Sequence, residues 1–239
     1  MSSYITSMVA QKYVANNTLA VSLAKPAGFT FQAGQYADVV LLLAPFHDLW
    51  GNLRTLSMVS APFEYNLEFV MRISTTAFKR NLSTAPEGTA LDLKGPAGNF
   101  HLHTEDRRPA VFIAGGVGIA PFVSILRQAE HDRAMHEFYL FHSNPRVSDA
   151  PYLEELRNRA TDGLLRFHFI PTITGDGDAD WYGERGRIDS NMLRRYVPLE
   201  AHPVYYIAGP SRFVSAMNSV FTALDVGEVD VQTENFGEF

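Results

Sequence analysis

The chain has 239 residues, a formal net charge of −6, a hydrophobic fraction of 46%, a charged fraction of 19% and no cysteine. This is globular composition with room for one large or two modest domains. It excludes disulfides, thiolate catalysis, zinc–thiolate sites and cysteine-bound iron–sulfur clusters, and the acidic balance argues against a nucleic-acid partner, which needs a basic footprint.

The first eleven residues lack the basic region and apolar core of a secretory signal. The apolar run from Val39 to Pro45 is too short to cross a bilayer. The expectation is a cytoplasmic protein with no membrane partner.

From Tyr4 to about Leu102 the chain reads as β. Residues 19–23, 36–40, 67–73 and 90–93 form short runs, several of them alternating apolar and polar. Turn signals separate them at Asn16-Asn17, Pro26-Ala27-Gly28, Ala33-Gly34, Pro86-Glu87-Gly88 and Pro96-Ala97-Gly98. Such punctuation predicts a small antiparallel barrel or sandwich. The composition becomes charged at Thr104-Glu105-Asp106-Arg107-Arg108-Pro109, which places a domain boundary there: residues 1–105 in one domain and 106–239 in the next.

Beyond the boundary, buried strands are predicted at 110–115, 137–142, 165–171, 204–208 and 229–233, with helices starting near Pro121, Pro151, Ser190 and Ser211. Alternating β and α predicts a parallel sheet with helices on both faces. Ser211 is the expected cap of the last helix, whose stripe is Val214, Met217, Phe221 and Leu224.

Candidate chemistry concentrates in few places. The stretch Val111-Phe112-Ile113-Ala114-Gly115-Gly116-Val117-Gly118-Ile119-Ala120-Pro121 runs from buried strand through a glycine cluster into a helix. That geometry lets backbone approach a diphosphate and turns helix N–H groups toward it. The same glycines would also serve a tight turn with no ligand. Arg54, in the stretch Arg54-Thr55-Leu56-Ser57, is a charge in apolar surroundings and calls for an anion such as phosphate; a surface arginine on an edge strand is the alternative. Arg72, Lys79 and Arg80 add positive charge, or form a solvated turn. Ser143 and Arg146, just past the second buried strand, lie where open parallel sheets bind a ribose or its phosphate. His142 reads as structural rather than as a base. The eight histidines show no metal-ligand spacing, so no metal site is expected. Glu234, just after the last predicted strand, is either a proton relay or part of a solvated tail.

Taken in order, Arg54–Ser57, Gly95-Pro96-Ala97-Gly98-Asn99-Phe100, the Gly115–Pro121 cluster, Tyr206-Ile207-Ala208-Gly209-Pro210 and Glu234–Phe236–Gly237 resemble the ferredoxin–NADP reductase family over nearly the whole chain. Trp181 with the 183–188 segment resembles a family segment too. The resemblance implies an N-terminal antiparallel flavin-binding β-barrel followed by a C-terminal parallel-sheet NAD(P)-binding domain. It implies a hydride passing from NAD(P)H to bound flavin, FAD rather than FMN, and electrons continuing to an external acceptor: a ferredoxin, a flavodoxin, an oxygenase component or a small molecule. By the same resemblance Arg54 holds the flavin phosphate, and Lys79, Arg80 and Asn81 correspond to the loop that contacts the flavin phosphates; Thr55 and Arg72 are counted with them as cofactor-binding candidates. Leu56 lies beside the flavin and Ser57 near its reactive nitrogen. Gly115, Gly116, Val117, Gly118, Ile119, Ala120 and Pro121 cradle the nicotinamide nucleotide with Ser143 and Arg146. Ala208, Gly209 and Pro210 lie under the nicotinamide, and Glu234 and Phe236 close the site, with Ser57 and Glu234 as the catalytic pair.

Departures accompany the match. Leu56 stands where an aromatic is usual, Ala208 where cysteine is frequent, Lys79 where serine or threonine is common, and Glu238 where the family's closing aromatic falls. Pro145 replaces the arginine that often follows Ser-Asn, with Arg146 one place on. A second reading is therefore a nucleotide-binding or docking module of the same fold without turnover. A third is an electron-transfer subunit whose partner performs the substrate chemistry.

Overall fold

The computed structural model describes residues 2–43 and 45–236, the last by its backbone alone. The chain divides into two units, one running to His101 and including Ala120–Gln128, the other made of Leu102–Ile119 and the chain from Ala129 onward.

The first unit holds β1 (Ser2–Ala15), β2 (Thr18–Ala24), β3 (Tyr36–Leu41), β4 (Leu53–Ser57), β5 (Asn66–Arg72) and β6 (Ala90–Ala97), with α1 (Ala77–Thr84) between the last two strands. The sheet order is β4-β3-β6-β1-β2-β5, and every pairing is antiparallel. A bridge between Met58 and Phe69 joins the end of β4 to β5 and closes the sheet into a barrel. Alternation places one face of each strand inside. Met8, Leu19, Val21, Leu23, Val39, Leu67, Phe69 and Leu91 form the core. The 14-residue β1 serves two neighbours. Its first six residues pair with β6 and the remainder with β2, the register shifting twice on the way. Helix α1 is an addition to the predicted elements, standing where the sequence pattern gives a charged turn or a phosphate-contacting loop. It buries Ala77, Phe78, Asn81 and Leu82, one face of a short amphipathic helix.

The second unit is built on β7 (Ala110–Gly115), β8 (Glu137–Asn144), β9 (Arg166–Ile173), the two-residue β10 (Glu184–Arg185), β11 (Val204–Pro210) and β12 (Val231–Phe236). The strands run parallel in the order β10-β9-β8-β7-β11-β12. Its helices are α3 (Leu153–Asp162), α4 (Ser190–Tyr196) and α5 (Ser211–Leu224), while α2 (Ala120–His131), which follows β7 in sequence, is counted with the first unit over most of its length. All six residues of β7 are buried, as expected of a central parallel strand. The expected antiparallel and parallel architectures are both present. Strands β9, β11 and β12 end two or three residues later than predicted, because ladder pairing continues through residues 172–173, 209–210 and 234–236. Ser211 is not the cap of α5: it is the first helical residue, and Pro210 precedes it with no side-chain cap bond.

Candidate functional site

Positive charge gathers in the first unit where β4 meets the start of α1. Arg54 Nη1 donates to the carbonyls of Trp50 at 3.0 Å and Leu53 at 2.6 Å, and its guanidinium lies 5.2 Å from the centre of the Phe78 ring. Its Nε and Nη2 are buried and have no hydrogen-bond partner. Burial lowers the Arg54 pKa, only partly offset by Asp48. Lys79 is lowered too, by burial first and by Arg54 second. Thr76, the extended residue ahead of α1, carries a buried hydroxyl without a partner. Two cations and an unpaired hydroxyl at one helix start match the needs of phosphate oxygens, so these residues fit a flavin diphosphate.

Other residues assigned to that cofactor are engaged elsewhere. The buried Asn81 uses both ends of its amide on the backbone of Phe46, accepting at 3.0 Å and donating at 2.8 Å. Arg80 stacks its guanidinium 4.1 Å from the Phe46 ring centre. The Thr55 hydroxyl donates to Asp38. Arg72 is exposed, Ser57 is buried, and Leu56 is half-buried against the barrel core.

In the second unit the chain leaves β7 by a 3-10 turn, Gly116–Ile119, before α2. Strand order reverses between β7 and β11, the crevice at which open α/β sheets bind ligands. Register brings the candidates together along this edge. Ser143 lies beside Gly115, Ala208 lies beside Ala114 on one side and Glu234 on the other, and Pro210 pairs with the backbone of Phe236. Arg146 is exposed past the end of β8. The side chain of Phe236, and Gly237, Glu238 and Phe239, lie outside the described residues.

The glycines do different work. Gly116 has φ +55°, and a Cβ there would meet nothing within 4 Å, so its backbone is open to a ligand. Gly118 is a packing glycine: a Cβ would lie 2.2 Å from the Ala208 carbonyl oxygen. Gly115 and Gly209 make room for Phe213, whose ring carbons would come within 2.9 Å of a Cβ on either. The fully buried His142 places Nε2 3.0 Å from the Gly116 carbonyl, and burial pushes its pKa down to about 4. It is therefore neutral and donates to that carbonyl, fixing the turn rather than acting as a base. Trp181 donates to the Glu184 carbonyl at 2.8 Å, and its ring packs where a Cβ on Gly183 would fall. These are structural roles for the 181–188 segment.

Sequence reasoning missed Thr76, Asp48 and Phe213. Thr76 had a signal, a threonine just before an amphipathic run. Asp48 acts on Ala77, 29 positions away, and Phe213 on Gly115, 98 positions away (213 − 115), which no local pattern reveals.

Residues 112–219 match the family model described as the oxidoreductase NAD-binding domain. The flavohemoprotein of Oceanobacillus iheyensis is 26% identical over 218 residues, covering 87% of this chain and 52% of that protein. The reductase component 2 of terephthalate 1,2-dioxygenase from Comamonas sp. is 29% identical over 208 residues, covering 83% and 60%. Among solved structures, a ferredoxin NADP+ reductase from Neisseria gonorrhoeae with bound FAD and NADP superposes with a TM-score of 0.78 at 22% identity, covering 98% of this chain and 99% of that one. The chain spans about half the length of the curated relatives it matches.

Proposed function

We propose that this chain is a member of the ferredoxin–NADP reductase family, an FAD-dependent oxidoreductase that takes reducing equivalents from NAD(P)H and passes them to an external acceptor; its oxidoreductase NAD-binding domain and its two-unit fold support the reading. The observation that carries the flavin assignment is half-buried Arg54, whose buried Nε and Nη2 have no hydrogen-bond partner. When bound, the flavin supplies the conversion between a two-electron donor and one-electron acceptors.

The residues divide the remaining work. Residues 1–105 form the flavin module and residues 106–239 the nicotinamide-nucleotide module. Arg54, Lys79 and Thr76 hold the flavin phosphates. The Gly116 turn, held by His142, takes the nucleotide diphosphate on open backbone, while Ser143 and Arg146 meet the adenosine end. Ala208, Gly209 and Pro210 form the floor under the nicotinamide. Ser57 is the polar group assigned to the flavin in the first unit, and Glu234, paired with Ala208, the one assigned to the nicotinamide floor in the second. The named relatives include an oxygenase reductase component, which favours an oxygenase component or its ferredoxin as acceptor over a small molecule.

The test is an anaerobic absorbance titration of the purified protein reconstituted with FAD, using NADH and NADPH separately. Bleaching of the flavin band within seconds by one of them supports the activity and sets the nucleotide preference. A protein that binds neither FAD nor FMN is a nucleotide-binding module of the same fold and not a reductase.

A further inference from the structure

The 45–52 segment, which lies between β3 and β4, is fastened to Arg54 of the proposed phosphate cradle and to Arg80 and Asn81 on α1. Arg54 spends Nη1 on the carbonyls of Trp50 and Leu53. Asn81 spends its whole amide on Phe46, and Arg80 lies flat against the Phe46 ring. Asp48 reaches the helix itself. Its Oδ2 accepts from the backbone N–H of Ala77, the first residue of α1, at 2.6 Å, while Oδ1 accepts from the N–H of Trp50 at 2.9 Å. That N–H is the donor a phosphate oxygen takes at a helix start. A carboxylate and a phosphate cannot share it, and both are anions drawn by the same Arg54.

We propose that the 45–52 segment is a strap over the flavin-phosphate cradle, with Asp48 as an internal anion standing in for a phosphate, so that flavin binds as the strap releases. The proposal rests on the flavin reading and adds its regulation: flavin is an exchangeable ligand set against a built-in competitor. The strap is made to let go. Leu49 is fully exposed and Trp50 more than half exposed, so little apolar burial holds it down. Gly51, at φ +69°, supplies a hinge just ahead of β4. The unpartnered Thr76 hydroxyl and Arg54 donors are what the carboxylate fails to satisfy.

The experiment measures FAD affinity by quenching of flavin fluorescence for the wild type, Asp48→Asn and Asp48→Ala, with melting temperatures recorded without flavin. Both variants are expected to bind FAD more tightly, by about tenfold for Asp48→Ala, the scale of one charge-assisted hydrogen bond returned to the ligand. Asp48→Asn keeps an oxygen for the Ala77 N–H and falls between. It decides the matter if Asp48→Ala unfolds. Hydrogen exchange of the 45–52 amides is expected to rise on adding FAD to the wild type. Measurable wild-type binding that is equal or weaker in both variants overturns the strap and leaves the flavin reading standing. No FAD binding by any of the three proteins overturns both.

Discussion

Adding one carbon to Gly116 and one to Gly118 gives opposite outcomes, because only the first has empty space around it. At Gly118 the new Cβ would lie 2.2 Å from the Ala208 carbonyl oxygen, a backbone atom that cannot turn aside. Gly118→Ala is expected to cost about 3 kcal/mol of stability, the scale of an overpacked core, read as a lowered denaturant midpoint. Gly116→Val carries the strain of a β-branched residue at φ +55°, about 2 kcal/mol, and places a side chain where the nucleotide backbone contact is proposed. It is expected to raise KM for NAD(P)H severalfold with flavin content unchanged; unaltered NAD(P)H kinetics would remove this turn from the site. Arg54→Ala is the counterpart on the flavin side. Losing the charged partner of a phosphate costs about 2 kcal/mol of flavin affinity, checked by FAD retained after dialysis. The glycine cluster was legible in the sequence as a close-approach turn. Its division of labour was not, since the reason for Gly115 and Gly209 is the ring of Phe213, and the reason for Gly118 is a neighbouring strand.

Strands were more legible than the short helix. The run 110–115 is apolar throughout and proved to be β7 to the residue, because burial on both faces leaves no polar position to blur its ends. Helix α1 was invisible for the converse reason: it has eight residues and no side-chain cap of its own, and the carboxylate at its start comes from 29 residues upstream. The histidines around the second sheet link local elements to pH. His142 fixes the end of β7 through Gly116. His103 bonds the Tyr206 hydroxyl on β11 at 2.9 Å, and His136 meets the His103 carbonyl at 3.0 Å. Burial is the leading cause in lowering all three, His142 to about 4. The folded state therefore favours the neutral imidazole. Its stability is fully present above the unfolded-state value near 6.5 and is lost as pH falls below it, for His142 by about 3 kcal/mol on reaching pH 4. The melting temperature is expected to be level from pH 7 to 8 and to drop steadily below pH 6.5, with a shallower drop in His142→Phe. Equal slopes in the two proteins would remove His142 from the account.

At the scale of the whole molecule the proposed activity raises the question of where electrons would leave. The 239 residues contain no cysteine, so none of them forms the thiolate cage of a two-iron or four-iron cluster. The relatives that share its modules are longer, the chain covering 52% of one flavohemoprotein and 60% of one oxygenase reductase component. On the proposed reading, in which NAD(P)H delivers electrons and no cysteine-bound cluster relays them, the outlet lies on another domain, another protein or a small acceptor. The acidic balance of −6 bears on that outlet, since like-charged carriers are repelled at low salt and oppositely charged ones are steered in. A generic one-electron oxidant sidesteps that recognition. NAD(P)H oxidation by the FAD-loaded protein is expected to be slow in air and to rise many-fold on adding ferricyanide. Because ferricyanide is itself an anion, the ferricyanide rate should climb with ionic strength as the repulsion is screened. Oxidation that is equally fast in air alone would make dioxygen the acceptor and dispense with a protein outlet. A ferricyanide rate that falls with added salt would mean that the electron exit is a basic patch, and an acidic carrier protein would then be the partner to seek.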